Sequence, residues 1–461
     1  MIKGYITVFL AMVLSILTGF LLFLTGSAIL NGWKVRTELA TDLGMNSALG
    51  EYQITLYERY GLLYVDTSYE EKAPSISGLE ERLVFYISRN LNQGEKAPFG
   101  GMDLKEVQVE AAVSAAADDG RSMKRQAVMY AKDCALEDDA EILAYLSKDE
   151  AFRGENLFYA WQSLMAQINE MELPVILNDE GEWEEVVLDN PADGVFSMHD
   201  SDILYLAGVD IGGIPIGQID RGNYISKRNR SEDVRLWAVE IPETDTRTFL
   251  VYLYDKFGNY RKVQAGSVLQ YQLEYVAKGK TSDYENIKAV AKELLLWRFA
   301  VNVECIFGDN GLYEEAAGVA GQLLAVQLNP AFREPVIRSI LYACAYLEAV
   351  GEVKCLLEGG SVPFDKGSAS VRIEQVLTKE IPHIKGSSGC SYEQYLARMI
   401  YRLPEGVRNN RCMDIMEMDI RNLTGNKWFS MDFCIERFTA QIKANDKIGR
   451  EYSIRRTYGY Y

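Results

Sequence analysis

Two histidines, His199 and His383, are all the imidazole this chain of 461 residues has for acid–base or metal chemistry. His199 lies in SMHDSD, where Asp200 and Asp202 offer a His–Asp pair or two metal oxygens. A zinc or similar site needs three or four ligands, and no second histidine is near in sequence. The plainer reading is a solvated loop histidine. His383, in IPHIKG, has no acid or thiol immediately beside it and reads as a loop residue. Seven cysteines fall at 134, 305, 344, 355, 390, 412 and 434, an odd number with no CxxC pair. That pattern is neither a zinc site nor a disulfide framework, so most are expected to be small buried apolar side chains. Cys344 and Cys355 share a face of one predicted helix but stand too far apart along its axis to bond.

Other chemistry is equally thin. No GxSxG elbow, HExxH helix or comparable nucleophile motif occurs. The acidic loops NDEGEWEE (178–185) and FGDNGLYEE (307–315) carry oxygens suited to calcium, but lack the regular spacing and distal glutamate of an EF-hand. The glycine-rich GVDIGGIPIG lacks the following helix that a phosphate loop requires. No catalytic, cofactor-binding or metal-binding residue is assigned; the expectation is a non-enzyme without a cofactor. A formal charge of −18 disfavours phosphate backbones, which argues against nucleic acid as a partner. The basic C-terminal hairpin, with Lys443, Lys447, Arg450, Arg455 and Arg456, reads as a charged outward strand face, or as a surface for anionic lipid or wall polymer.

The dominant feature is physical rather than chemical. No charged residue separates Lys3 from Lys34. About thirty residues at ~1.5 Å each make a helix of ~45 Å, longer than a bilayer's hydrocarbon core. A cleaved signal peptide usually has a shorter apolar region, so a transmembrane helix over 5–33 is predicted. Lys3 on one side and Lys34 and Arg36 on the other leave the charge rule undecided. Beyond the membrane segment, Met45, Leu49, Tyr52, Leu56 and Tyr60 recur at helical spacing, which predicts a stalk over 34–60 ended by Gly61.

The segments KGYITVFLAMVLSIL, VRTELATDLGMNSALGEYQITLYERYGLLYVDTSY, NPADGVFS, LQYQLEYVAKGKTSDYENIKAV and the ending MDFCIERFTAQIKA…YSIRRTYGYY resemble a family of Gram-positive bacteria. That family, of no established activity, is found beside tight-adherence (Tad/Flp-type) pilus genes. The resemblance implies a pilin-like layout: a short basic leader (1–4), an apolar helix and an extracytoplasmic domain. On that layout Gly4 ends the leader, Tyr5 opens the mature chain, and Phe9 occupies the position where type IV prepilins carry an assembly glutamate. It implies a single-pass protein of the cytoplasmic membrane, with pilus-assembly proteins as candidate partners and a minor structural or accessory role. The alternative is a membrane-tethered module that binds or senses a wall polymer or ligand.

The rest of the chain predicts an α+β protein, the long N-terminal helix packed with an antiparallel sheet and a helical block. The mixed α/β region is 61–270. It holds a short strand at LLYVD, a helix opened by Ser77 and Glu80 in capping-box spacing and closed by Gly94, and a strand over 106–113 with Val107, Val109, Ala111 and Val113 on one face. A turn at Asp118–Asp119–Gly120 then precedes a helix. FLVYLY reads as a strand-like piece, and RGNYISKRNRSEDVR as a basic, polar loop. Region 271–425 is mainly helical, opened by Ser282 and Glu285 in capping-box spacing. Its apolar runs are broken by Arg338, Glu348 and Glu352, which marks buried helices rather than further membrane spans. Residues 426–461 read as a β-hairpin joining the sheet. Tyr452, Ile454, Arg456, Tyr458 and Tyr460 share one face of the last strand, and a phase change near Glu436 predicts a bulge in the first.

Overall fold

The computed structural model describes residues 2–92, 102–134, 136, 154–179, 181–229, 233, 235–236, 240–386, 388–446 and 449–460. The chain forms two compact units, each drawn from separated stretches: Met1–Ala135, Gly222–Asp245 and Glu405–Tyr461 make the first, Leu136–Arg221 and Thr246–Pro404 the second.

The first unit is built on the N-terminal helix, Ile2–Leu49. Its inner part is unburied apolar surface, with a mean hydropathy of 2.5 over the most apolar stretch. Its last turns are different. Thr37, Ala40, Thr41, Met45, Ala48 and Leu49 are buried at spacings of three and four, against helix Ile76–Asn92 and a four-stranded antiparallel sheet. Gly44 lets the two helices close up: a Cβ there would lie 2.5 Å from Ile87 Cγ1.

The helix ends sooner than its apolar stripe suggests. The chain turns at Gly50, Gln53 accepts a hydrogen bond from the Thr55 N–H (2.9 Å), and a separate helix, Ile54–Tyr60, begins. Met45, Leu49, Leu56 and Tyr60 are all buried, so the stripe is real but belongs to two helices. Gly61 ends the second at φ 69°, its N–H bonded to the Tyr57 carbonyl, as its position in sequence predicts. The expected capping box at Ser77 is displaced. Helix Ile76–Asn92 already contains Ser77, and the Ser75 hydroxyl accepts from the Gly78 N–H instead (3.3 Å). Glu80 turns to the sheet and accepts from the Val109 N–H at 2.8 Å. The expected stop at Gly94 lies outside the described residues.

The sheet comprises β1 (Val65–Asp66), β2 (Met102–Ser114), β5 (Cys434–Asp446) and β6 (Glu451–Gly459). β5 is central, paired to β2 on one edge and to β1 and β6 on the other. One residue of β5, Glu436, stands between Ile435 and Arg437, whereas their partners Ser114 and Val113 on β2 are adjacent, so Glu436 is the bulged residue, where the phase change predicted one. A second irregularity between Val109 and Ala111 breaks the expected single face of β2: Val107 and Val109 are followed by Ala112 and Val113 in the core. Phe438, Ala440 and Ile442 of β5 fill the core beneath the two helices. Helix Ala117–Asp133 begins through left-handed backbone at Asp118, Asp119 and Gly120, the turn read from the sequence.

The second unit packs around two long helices, Asp283–Phe307 and Arg333–Leu357. The latter is buried over almost its whole length, and its Glu348 and Glu352 are accommodated by ion pairs rather than by lipid. Arg298 grips Glu352 through Nε (2.8 Å) and Nη2 (3.2 Å), and Lys366 Nζ reaches it at 2.7 Å. Burial would raise the Glu352 carboxyl, but these two cations outweigh it and hold it below the usual carboxylate range. Ser282 caps the first long helix by accepting from the Glu285 N–H, while Glu285 bonds Thr281, so only half of the expected box forms. FLVYLY is helical, within Thr246–Lys256: Phe249, Leu250, Tyr252 and Leu253 are buried at helical spacing, and tertiary packing overrides the strand preference of these residue types. A two-stranded ribbon, β3 (Val175–Leu177) with β4 (Trp183–Glu185), lies in the same unit.

Candidate functional site

Two features of the molecule are not accounted for by folding alone: the bare inner part of the N-terminal helix, in the first unit, and an aromatic cavity in the second.

On the helix, Tyr5 and Phe9 are 78% and 67% exposed, with Leu14, Leu17, Phe20 and Phe23 exposed beyond them. Gly4 sits in the first turns with open space around its Cα. Thr18 and Thr25 return their hydroxyls to the carbonyls of Leu14 and Leu21, so even the polar side chains of this stretch hide their hydrogen bonds (2.7 and 2.8 Å). This is the one helix among the described residues long and apolar enough to cross a membrane.

Its outer end is locked to β6. The Tyr460 hydroxyl donates to the Leu49 carbonyl (2.5 Å), Tyr452 bonds Glu38, and Arg456 lies 3.7 Å from Glu38 and 3.5 Å from Asp42. The tyrosine-rich face of the last strand therefore covers the helix that carries the apolar segment. The basic residues of this hairpin are spent within the unit: Lys443 pairs with Glu106 (2.8 Å), Arg450 with Asp446 (2.7 Å) and Arg455 with Glu110 (2.6 Å). Lys447 lies outside the described residues.

The cavity, about 200 Å³, is walled by three helices and one turn. Helix Gly154–Glu170 contributes Phe158 and Tyr159, and Glu155 at its mouth; helix Asp283–Phe307 contributes Leu295, Leu296 and Phe299, and Lys292 at the mouth; Tyr346 closes one side. His199 completes it. The imidazole stands between Phe158 and Phe196, at ring distances of 5.4 and 4.8 Å. Its Nδ1 is 2.5 Å from the Phe196 carbonyl, which requires a proton on Nδ1, and Nε2 is 3.2 Å from Asp200. The expected solvated histidine is thus half-buried in an aromatic wall. Behind it, fully buried Trp161 touches Phe196 (5.0 Å), Tyr346 (5.7 Å) and Phe158 (5.9 Å).

The remaining sequence candidates have structural employment. His383 is exposed on a loop beside Cys355 and Glu358, neighbours invisible in sequence. Asn178 and Gly181 form the β3–β4 turn of one acidic loop, and Asp309 of the other caps a helix through the N–H groups of Gly311 and Leu312. Among the described residues no three His, Cys, Asp or Glu side chains converge as a metal site. Five of the seven cysteines are buried. Two polar clusters escaped sequence reading. Arg228, from the basic loop, forks onto buried Glu417 (2.7 and 2.6 Å) and reaches Asp432 (2.5 Å) in the first unit. In the second, wholly buried Glu274 accepts from the Tyr260 N–H (2.8 Å) and the Tyr392 hydroxyl (2.7 Å).

A family model described as a family of unknown function (DUF5702) matches residues 181–446. The chain belongs to that family. No curated protein and no solved structure matches it. The part that defines DUF5702 here runs to the end of β5, taking in Arg228, Glu274, His199, Lys292 and Phe299; it leaves out the apolar helix, Glu155, Phe158 and β6.

Proposed function

We propose that this chain is a membrane-anchored extracytoplasmic structural subunit, built like a pilin, that serves as a minor or accessory component of a tight-adherence (Tad/Flp-type) pilus or a related export system. What carries the reading is one helix used in two ways: bare and apolar through its inner part, sealed by side chains onto an antiparallel sheet through its outer part. A helix meant only as a signal has no need of a folded domain clasping its outer end through Tyr452, Arg456 and Tyr460. The sequence resemblance supplies the pilus context. A cut after Gly4 leaves the whole apolar run on the mature chain, and Phe9 offers no charge to a neighbouring subunit's amino terminus, which suits a minor or initiating position rather than a repeating one.

The test is affinity capture of the tagged full chain from detergent extracts of cells making such a pilus, with N-terminal sequencing of the captured protein. Co-recovery of pilus-assembly proteins and a start at Tyr5 or upstream agree with the proposal. Recovery of the chain alone from piliated cells refutes the assembly role. The second reading, a membrane-tethered binding module, is favoured by the aromatic cavity and shares the anchor.

A further inference from the structure

We infer that the aromatic cavity of the second unit is a binding site for a small aromatic zwitterion, a free aromatic amino acid being the fitting class, with the ring inside and the two charges at the mouth. The inference stands on this unit alone and does not depend on whether the N-terminal helix spans a membrane. Size comes first. A cavity of about 150 Å³ lined by apolar side chains holds benzene. At about 200 Å³ this one has room for a single substituted ring. The walls are aromatic: Phe158 packs edge-on against Phe299 (6.2 Å, 70°) and meets His199 at 5.4 Å, so a ring in the cavity meets aromatic surfaces with which edges and faces attract. Leu295 and Leu296 supply the remaining apolar contact.

The rim carries charge of both signs. Glu155 and Lys292 are exposed, come from different helices, and make no ion pair with each other or with any other described residue. A ligand with an ammonium for Glu155 and a carboxylate for Lys292 uses both; a neutral ring, a simple acid or a simple amine uses one or neither. The imidazole is held at Nδ1 by the Phe196 carbonyl and packed between Phe158 and Phe196, so it forms part of the aromatic wall. Pockets that are mostly apolar with a few convergent polar groups are the usual form of small-molecule sites.

The experiment uses the full chain in lipid nanodiscs, since detergent can fill an apolar cavity. L-phenylalanine, phenylacetate and phenethylamine are each titrated by calorimetry. L-phenylalanine should bind with a dissociation constant of about 1 mM or tighter and more tightly than either single-charge probe. Lys292→Gln should weaken L-phenylalanine and phenylacetate about two- to fivefold, as for an exposed ion pair, and leave phenethylamine unmoved. Glu155→Gln should do the reverse, weakening L-phenylalanine and phenethylamine and sparing phenylacetate. Both substitutions are at exposed positions, so melting temperatures should match the parent chain. Absence of binding at 10-fold that concentration, or binding that neither charge substitution alters, overturns the proposal.

Discussion

Glutamine at position 274 should flatten the pH dependence of the second unit's stability. Glu274 is wholly buried, and burial pushes its carboxyl up from 4.5 to about 7, against the lowering effect of the Tyr260 N–H and the Tyr392 hydroxyl. Its Oε2 has no hydrogen-bond partner among the described residues, so the ionised form leaves a lone pair dry. The folded state therefore binds a proton that the unfolded chain has already released anywhere between pH 4.5 and 7. The sign follows: the contribution is fully present below about 4.5 and is lost as pH rises through 7. A shift of about 2.5 units at ~1.4 kcal/mol each makes it worth about 3 kcal/mol, and complete burial calls for no solvent discount. Glu274→Gln keeps the Oε1 acceptor and never ionises. Amide hydrogen exchange of peptides covering Gln272–Lys278, corrected for intrinsic rates, reads local opening from pH 5 to 8. The difference between parent and variant should change by about 2.5 kcal/mol across that range, in the variant's favour at pH 8, while other carboxylates cancel. Parallel profiles would refute the assignment of a neutral carboxyl at this site.

Three further outcomes follow from packing and charge. Gly44→Val should force apart the N-terminal helix and helix Ile76–Asn92, because its Cβ meets Ile87 at 2.5 Å; a cost of about 1–3 kcal/mol should appear as faster proteolysis of the first unit. Arg228→Met should cost about 3–5 kcal/mol in denaturant unfolding, since it leaves buried Glu417 beside Asp432 with Arg421, 3.4 Å away, as its remaining cation; an effect below 1 kcal/mol would mean the cluster is solvated. Native thiol labelling at pH 8 should modify exposed Cys134 first and leave Cys412 and Cys434 untouched until unfolding, as burial drives both thiols well above their ordinary range.

Much of the architecture was legible because it rests on local rules. An uncharged run of thirty residues, the Gly61 cap, the Asp118–Gly120 turn and the phase change at Glu436 each state their own geometry. The misreadings arise where a local pattern has two physical solutions. The stripe from Met45 to Tyr60 continues across a break at Gly50, because both helices bury the same side. FLVYLY has strand-forming residues whose burial at helical spacing appears only once the unit packs. The cavity was illegible for another reason: Phe158, His199, Phe299 and Tyr346 come from four elements, and nothing in their spacing announces convergence. Arg228 looked like one more basic loop residue until Glu417 and Asp432 were brought beneath it.

As proposed above, the N-terminal helix is an anchor that holds its folded unit outside the membrane. Protease treatment of intact cells, followed by mass measurement and sequencing of what stays in the membrane, tests this most directly. The account predicts cleavage of the chain beyond about residue 35, with an apolar fragment containing Phe9 and Phe23 retained in the bilayer. Complete protection of the folded units in intact cells, or a mature protein whose sequence starts near Ile29 and leaves the membrane, would contradict it.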